Sequence, residues 1–249
     1  MPSHDDLAWR AEAACRDAWP AARKHLLQGW LLRASGGPTR RTNSLNPTRG
    51  PRGPADAAIT ACERDYAALG QPAIVRVVSL APELDRPLAE RGYGAEGHAL
   101  TLFAARDAMP SGNDPQVRLV PAPDAAWLAL RTRLAGADAE AAAIYAAMTG
   151  RIHGPRAFAS LELAGETASM AYAVVDGPLA VIESVATPER LRGRGYARRT
   201  VGALLGWACA NGAAGACLQV IAANEAARSL YSCLGFRTEL LRYHYRRQG

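Results

Sequence analysis

Residues 190–199 read RLRGRGYARR, a run with glycine at 193 and 195 and arginine at 190, 192, 194, 198 and 199. The run follows a strand-like stretch, Leu179–Ala186, and leads into a helix-like segment from about Tyr196 to Ala210. A glycine-bearing turn that opens a helix offers several backbone N–H groups to one anion, at the positive end of the helix dipole. Gly193 and Gly195 have no side chain to hold a ligand away from the main chain. The amides from about Arg192 to Ala197 can then aim at phosphate oxygens. Arg190 and Arg192 are placed for direct contact. Arg194, Arg198 and Arg199 either raise the local potential or form a solvated helix face. The run reads as a phosphate-binding device.

Elements on either side of it suggest one αβ unit. Val117–Val120 reads as a short strand, and the segments Asp124–Leu134 and Asp138–Met148 as helices opened by capping aspartates. Phe158–Leu163 and Met170–Val175 read as strands joined by a turn over Ala164–Ser169, and Asp176-Gly177-Pro178 as a second hairpin turn. After the helix that closes at Asn211-Gly212 come a buried strand, Cys217–Ile221, a helix from Asn224 to Leu234 and a tail strand, Phe236–Arg246.

The first half echoes this order. Gly29–Ser35 and Arg41–Asn46 read as strands, Ala55–Leu69 as a helix, Ala73–Val78 as a strand, Pro82–Arg91 as a helix and His98–Phe103 as a strand. Leu88–Tyr93 aligns with Tyr231–Phe236, and Pro47 with Pro188, so an internal repeat is expected. Turn formers without periodicity over 107–116 mark a linker. The expected division is 1–106, a linker at 107–116, and 117–249.

Bulk properties narrow the class. The chain has 249 residues, 49% apolar and 21% charged, close to globular averages. Net charge is +6, and Lys24 is the sole lysine among 29 basic residues. That excess is too small to argue for nucleic acid, and no basic stripe with interleaved aromatics accompanies it. Five scattered cysteines without pair or zinc spacing read as thiols in a reducing compartment. No signal peptide or membrane-length apolar run is evident, so a cytoplasmic protein with no metal and no membrane partner is expected.

The second half resembles the GNAT superfamily of N-acetyltransferases. Its acyl-CoA loop pattern, Arg/Gln-x-x-Gly-x-Gly/Ala, is met by Arg190, Gly193 and Gly195, after a strand ending Val185-Ala186-Thr187-Pro188. A second mark follows in Asn224-x-x-Ala227-x-x-Leu230-Tyr231-x-x-x-Gly235-Phe236. The resemblance covers about Val117 to Arg246. It implies an α/β fold with a mixed sheet, two GNAT-like units in tandem, and an acyl-CoA site in the second. It also implies that central strands splay to admit the pantetheine arm, and that acetyl-CoA is the acyl donor.

Acyl transfer needs a neutral amine, a donor for the oxyanion and a proton for the departing thiolate. The resemblance places a tyrosine near the sulfur, here Tyr231. The same residue shares a helical face with Ala227, Leu230 and Leu234, as a core tyrosine would. Asn224 suits either a cofactor contact or a helix cap, and a small Ala227 would let the cofactor lie against the helix. Cofactor contacts are further expected at Val185 and Ala186 through their backbone N–H groups, and at Tyr196 and Ala197 in the first turn of the helix. Glu183 is the best-placed carboxylate for a base, with a water chain as the alternative. Strand alternation puts it on the face of Val181 and Val185.

In the first half, Asn46–Pro54 stands opposite the phosphate loop, with Arg52 and Pro54 in place of the two glycines and Leu88 in place of Tyr231. Pro51 and Pro54 have no N–H to donate, so one active site per chain is expected. Trp30, Arg33, Arg40, Arg41 and Asn43 lie on a hairpin that either reads an acidic group on the substrate or is simply solvated around a packed tryptophan. The expected partner is a small-molecule amine or a protein or peptide amine, bound by a monomer or homodimer. The resemblance draws its pocket from the helices after Val117–Val120 and from variable loops, where Trp127, Tyr145 and His153 lie without a decodable pattern. A non-catalytic acyl-CoA sensor is the alternative.

Overall fold

The structure, a computed structural model, describes residues 3–110, 112 and 114–249. Within the linker region 107–116, Ser111 and Asn113 lie outside the described residues.

The first half runs α1 (His4–Asp17), β1 (Arg23–Leu27), β2 (Trp30–Ala34), β3 (Ser44–Pro47), α2 (Ala55–Ala67), β4 (Ile74–Val78), α3 (Asp85–Glu90) and β5 (Gly94–Ala105). The second runs β6 (Val117–Val120), α4 (Ala125–Ala135), α5 (Ala139–Gly150), β7 (Arg156–Leu163), β8 (Glu166–Asp176), β9 (Leu179–Ala186), α6 (Tyr196–Ala210), β10 (Gly215–Ile221), α7 (Glu225–Cys233) and β11 (Thr238–Arg247). Asp124 and Asp138 cap α4 and α5, their carboxylates accepting from the Trp127 and Ala141 amides at 2.8 Å each.

Three readings are corrected. Helix α1 and edge strand β1 were not expected. A capping box opens α1, where Ser3 Oγ accepts from the Asp6 amide and the Asp6 carboxylate accepts from the Ser3 amide. The turn between β7 and β8 is two residues, not six: Ala164 and Gly165, at φ +49° and +79°, so both strands extend further into it.

The eleven strands of the described residues form one sheet, in the order β1-β2-β3-β4-β11-β5-β10-β9-β8-β7-β6. The halves exchange their last strands. β5 pairs antiparallel with β10 of the second half, while β11 inserts between β4 and β5. The ends of α3 and α7 carry the same hydrogen bond, Tyr93 N–H to Leu88 O and Phe236 N–H to Tyr231 O, both 3.0 Å, which matches the repeat read from sequence.

Three cores cover the sheet. α6 and α7 pack on one face of the second half, burying Ile182, Leu204, Leu205 and Phe236. On the opposite face α1, α4 and α5 bury Trp127, Phe158, Tyr172 and Val181. A third core, around Trp30, Ile59, Tyr66 and Leu88, lies under α2 and α3.

Candidate active site

Strands β9 and β10 run parallel, and their pairing stops at Ile182 and Leu218. Beyond it β10 stays with β5, where Gln219, Val220 and Ile221 pair with Thr101, Leu100 and Ala99, and β9 stays with β8. Glu183–Ala186 and Gln219–Ile221 therefore part and leave a cleft in the sheet.

The run 190–199 follows β9 after a short connection through Thr187, Pro188 and Glu189. Gly193 and Gly195 have φ of +75° and +78°, and Gly195 is the N-cap of α6. Side chains beyond glycine rarely adopt this backbone. A Cβ built at either position meets no protein atom within 4 Å, so conformation rather than internal packing demands glycine, and the space beside the main chain is open. The first intrahelical bond is Arg199 N–H to Gly195 O, 3.2 Å. Among the described residues no acceptor meets the amides of 193–198, the usual condition of a helix start. Two of the arginines are engaged elsewhere. Arg190 pairs with Glu166 on β8, and Arg199 grips Asp114 with two hydrogen bonds of 2.6 and 2.9 Å. The Arg190 pair is solvent-exposed and worth little. Arg192, Arg194 and Arg198 are exposed.

Glu183 is buried at the point where the strands part, 4% exposed. Its Oε2 accepts from Arg41 Nη1 at 2.6 Å, while Oε1 has no hydrogen-bond partner among the described residues. Arg41 comes from the first half and lies over the Trp19 ring, 4.9 Å from its centre. Burial works against the Arg41 charge, but Glu183 outweighs it and holds the guanidinium above its ordinary range.

The face expected for Glu183 is half corrected. It shares a face with Val181, which packs under α1 and α4, but Val185 packs on the opposite face with α6. A bulge is the cause. Tyr172 pairs with Glu183 and Met170 with Ala186, so β9 carries one extra residue there. Ser184 takes φ +53° to accommodate it. An inserted residue reverses the alternation beyond it. Ser184 Oγ bonds Tyr145 Oη at 2.8 Å.

Tyr231 packs on Phe236 from α7, rings 6.1 Å apart. Burial pushes its phenol up to about 12, with Glu183 adding to the rise and Arg41 opposing it. Asn224 acts as the N-cap of α7, its Oδ1 accepting from the Ala227 amide at 3.0 Å. Val185, Ala186, Tyr196 and Ala197 are half-buried around the cleft and helix start.

A cavity of about 530 Å³ lies on the α1–α4–α5 face. Its wall includes Arg40 and Arg41 from the first half, Arg131 and Tyr145 from α4 and α5, and Gln219–Ile221 from the edge of the cleft.

The model of the family described as "Probable histone acetyltransferase Rv0428c C-terminal" matches residues 9–247, nearly the whole chain. The chain belongs to this acetyltransferase family. It is an N-acetyltransferase of GNAT type, and its relatives agree. The "Uncharacterized N-acetyltransferase YobR" of Bacillus subtilis is 29% identical, over 97% of this chain and 98% of that protein. The GCN5-related N-acetyltransferase from Kribbella flavida superposes with a TM-score of 0.71 at 16% identity, covering 100% of this chain and 97% of that one. A tandem GNAT protein from the clavulanic acid biosynthesis pathway superposes with a TM-score of 0.62 at 13% identity, covering 82% and 74%.

In the acetyltransferase the first-half counterpart of the 190–199 run, residues 46–54, is filled by the protein's own groups. The Gly53 amide donates to Gln28 O at 2.7 Å, Arg52 donates to Thr48 O at 2.8 Å, and Trp30 Nε1 donates to Gly53 O at 3.2 Å. Pro54 caps α2 where Gly195 caps α6. The hairpin side chains are not a solvated set. Arg33 is buried and donates to the Arg41, Arg16 and Trp19 carbonyls. Asn43 holds the 35–39 loop through five hydrogen bonds. Together they project Arg40 and Arg41 toward the second half. Sequence reasoning missed the Arg41–Glu183 pair and Arg131, and it placed Tyr145 in the acceptor-pocket region without a role. Long-range pairing leaves no local signal for the first. Tyr145 and Arg131 carried a readable one, since both lie on the helices after β6. No cluster of three or more metal-ligating side chains occurs among the described residues.

Proposed function

We propose that the acetyltransferase moves an acetyl group from acetyl-CoA to a primary amine by direct attack, with no covalent enzyme intermediate. The observation that carries this is the parting of β9 and β10 immediately before a helix start with open amides. The amides of 193–198 suit the pyrophosphate, with Arg192 and Arg194 adding charge. Arg190 is available by exchange from its exposed pair with Glu166. Ala227 leaves room for the carrier along α7, and Asn224 fixes the start of that helix.

The backbone N–H groups of Val185 and Ala186, re-aimed by the bulge, suit the thioester carbonyl and its developing oxyanion. The amine nitrogen bonds to the carbonyl carbon as the C–S bond breaks. Its proton passes to the unpartnered Glu183 Oε1, directly or through water. Tyr231 donates to the departing thiolate and is reprotonated from solvent. An ordinary thiol titrates near 8.5, well below a phenol at about 12. The transfer therefore needs a thiolate that is itself desolvated and more basic, as a buried cleft would make it.

No helix of the described residues is long and apolar enough to cross a membrane. A reducing, cytoplasmic setting fits the five free cysteines, of which Cys15 and Cys217 share a thiol hydrogen bond at 3.7 Å and no disulfide. The acceptor is taken to be a free small amine or a peptide amine, and the working form a monomer or homodimer.

The test is CoA release across an amine panel, with calorimetry of acetyl-CoA binding alongside. Turnover with at least one amine supports the proposal. Binding without turnover favours a non-catalytic acyl-CoA sensor. No binding at millimolar acetyl-CoA defeats both readings.

A further inference from the structure

We infer that the acceptor amine is a small molecule of amino-acid size carrying a carboxylate, and that Arg131 is the residue that reads it. The inference rests on the acetyl-transfer reading for the amine end and on the cavity wall for the other end.

The wall of the 530 Å³ cavity carries Arg40, Arg41, Arg131 and Arg247, with Asp138 as its acidic member. Arg41 is neutralised by Glu183 at 2.6 Å, and Arg40 and Arg247 share Glu96 at 3.1 and 4.0 Å. Asp138 is an exposed rim residue whose carboxylate caps α5. Four guanidinium groups thus face three carboxylates. The group left without an acidic partner among the described residues is Arg131. Its guanidinium carbon sits over the Tyr145 ring, 4.6 Å from the centre. The other side chains on that ring, Trp127 at 6.4 Å and Trp19 at 5.4 Å, hold it in place.

Tyr145 also sets the distance. Its hydroxyl bonds Ser184, the neighbour of Glu183 in the bulge. A molecule with its amine at Glu183 and its carboxylate at Arg131 therefore lies alongside one tyrosine side chain, which limits it to a few carbon atoms between the two groups. A guanidinium held against an aromatic ring and free of acidic partners keeps N–H donors to spare, and its planar fork can grip a carboxylate with two parallel hydrogen bonds. A lysine-rich protein tail would bring more positive charge to a wall that already has a surplus.

The test uses the full chain, acetyl-CoA and matched acceptors: short amino acids, the corresponding carboxamides, and a lysine-rich peptide. Wild type should favour each acid over its carboxamide by roughly 10- to 100-fold in kcat/KM, the range for hydrogen bonds to a charged group. Arg131→Ala should bring that ratio close to one, mainly through KM for the acids, and Arg131→Lys should restore part of it. The same acids lacking the amine should compete with acceptor in wild type and fail to compete in Arg131→Ala. They should also bind the free protein by calorimetry, a readout that survives even if no amine is turned over. An acid-to-amide ratio of one in wild type, a ratio unchanged by Arg131→Ala, preference for the peptide, or no binding of the amine-free acids would each overturn the inference. Failure of acetyl-CoA itself to bind would instead count against the acetyl-transfer reading.

Discussion

Replacing Arg41 with methionine removes the counter-charge of a carboxylate that is 4% exposed, while Arg41 itself is 23% exposed. At an effective dielectric constant of about 20, two unit charges at the 2.6 Å of this contact attract by roughly 6 kcal/mol. Desolvation takes part of that back, and breaking one side of a buried pair costs about 3–5 kcal/mol. In a chain of this size each kcal/mol moves the melting temperature by about 2–4 °C, so Arg41→Met should lower it by roughly 6–20 °C. Glu183→Leu leaves an arginine that still reaches water, at a cost of about 1–3 kcal/mol. The double variant has no stranded charge, so its loss should fall short of the sum by at least about 2 kcal/mol. Urea unfolding of the four proteins measures this. Single losses that add to within about 0.5 kcal/mol, as distant sites do, would refute the buried coupling. They would also refute the conclusion that the first half reaches into the site.

Tyr231→Phe should lower kcat by about 10²- to 10⁴-fold, as loss of a general acid does, with acetyl-CoA affinity nearly intact; unchanged turnover removes Tyr231 from the mechanism. Because burial holds that phenol at about 12, it stays protonated through neutral pH, and kcat should show no falling limb from pH 7 to about 10; a fall near pH 9 would contradict the burial. Gly193→Val forces a branched residue into φ +75°, costing about 1–2 kcal/mol, and calorimetry should detect no acetyl-CoA binding; retained tight binding would sink the loop assignment. Glu12→Gln breaks the buried pair in which Arg76 donates to Glu12 at 2.8 and 2.9 Å, and stability should fall by about 3–5 kcal/mol; a loss below 1 kcal/mol would mean that water reaches Arg76.

Local chemistry made much of the second half legible. Leu179–Ala186 and Tyr196–Ala210 fall where the sequence puts them, because strand composition, two glycines and a clean helix end all act within a few residues. The aspartate caps of α4 and α5 are equally local. α1 escaped notice because its buried face is largely Ala8, Ala11 and Ala14, which give a weak periodic signal. The Ser3–Asp6 box was the clue available. The bulge at Ser184 has no glycine, proline or asparagine to announce it, so simple alternation put Val185 on the wrong face. Arg41 read as part of a hairpin facing solvent or substrate. Its partner is 142 residues away, and no pattern in one sequence reports such a distance.

The crossing of β5 and β11 bears on how such a gene can change. A fragment beginning at Val117 would leave Gly215–Ile221 without its β5 neighbour and β11 with nothing to pair against. It would expose bare strand edges of the kind that seed aggregation. Recombination therefore cannot trade one half for a foreign one without breaking the survivor. The first half carries Arg52 and Pro54 where the second has Gly193 and Gly195, yet its β4 and β5 still pair with the second half's strands, so it is not free to be deleted.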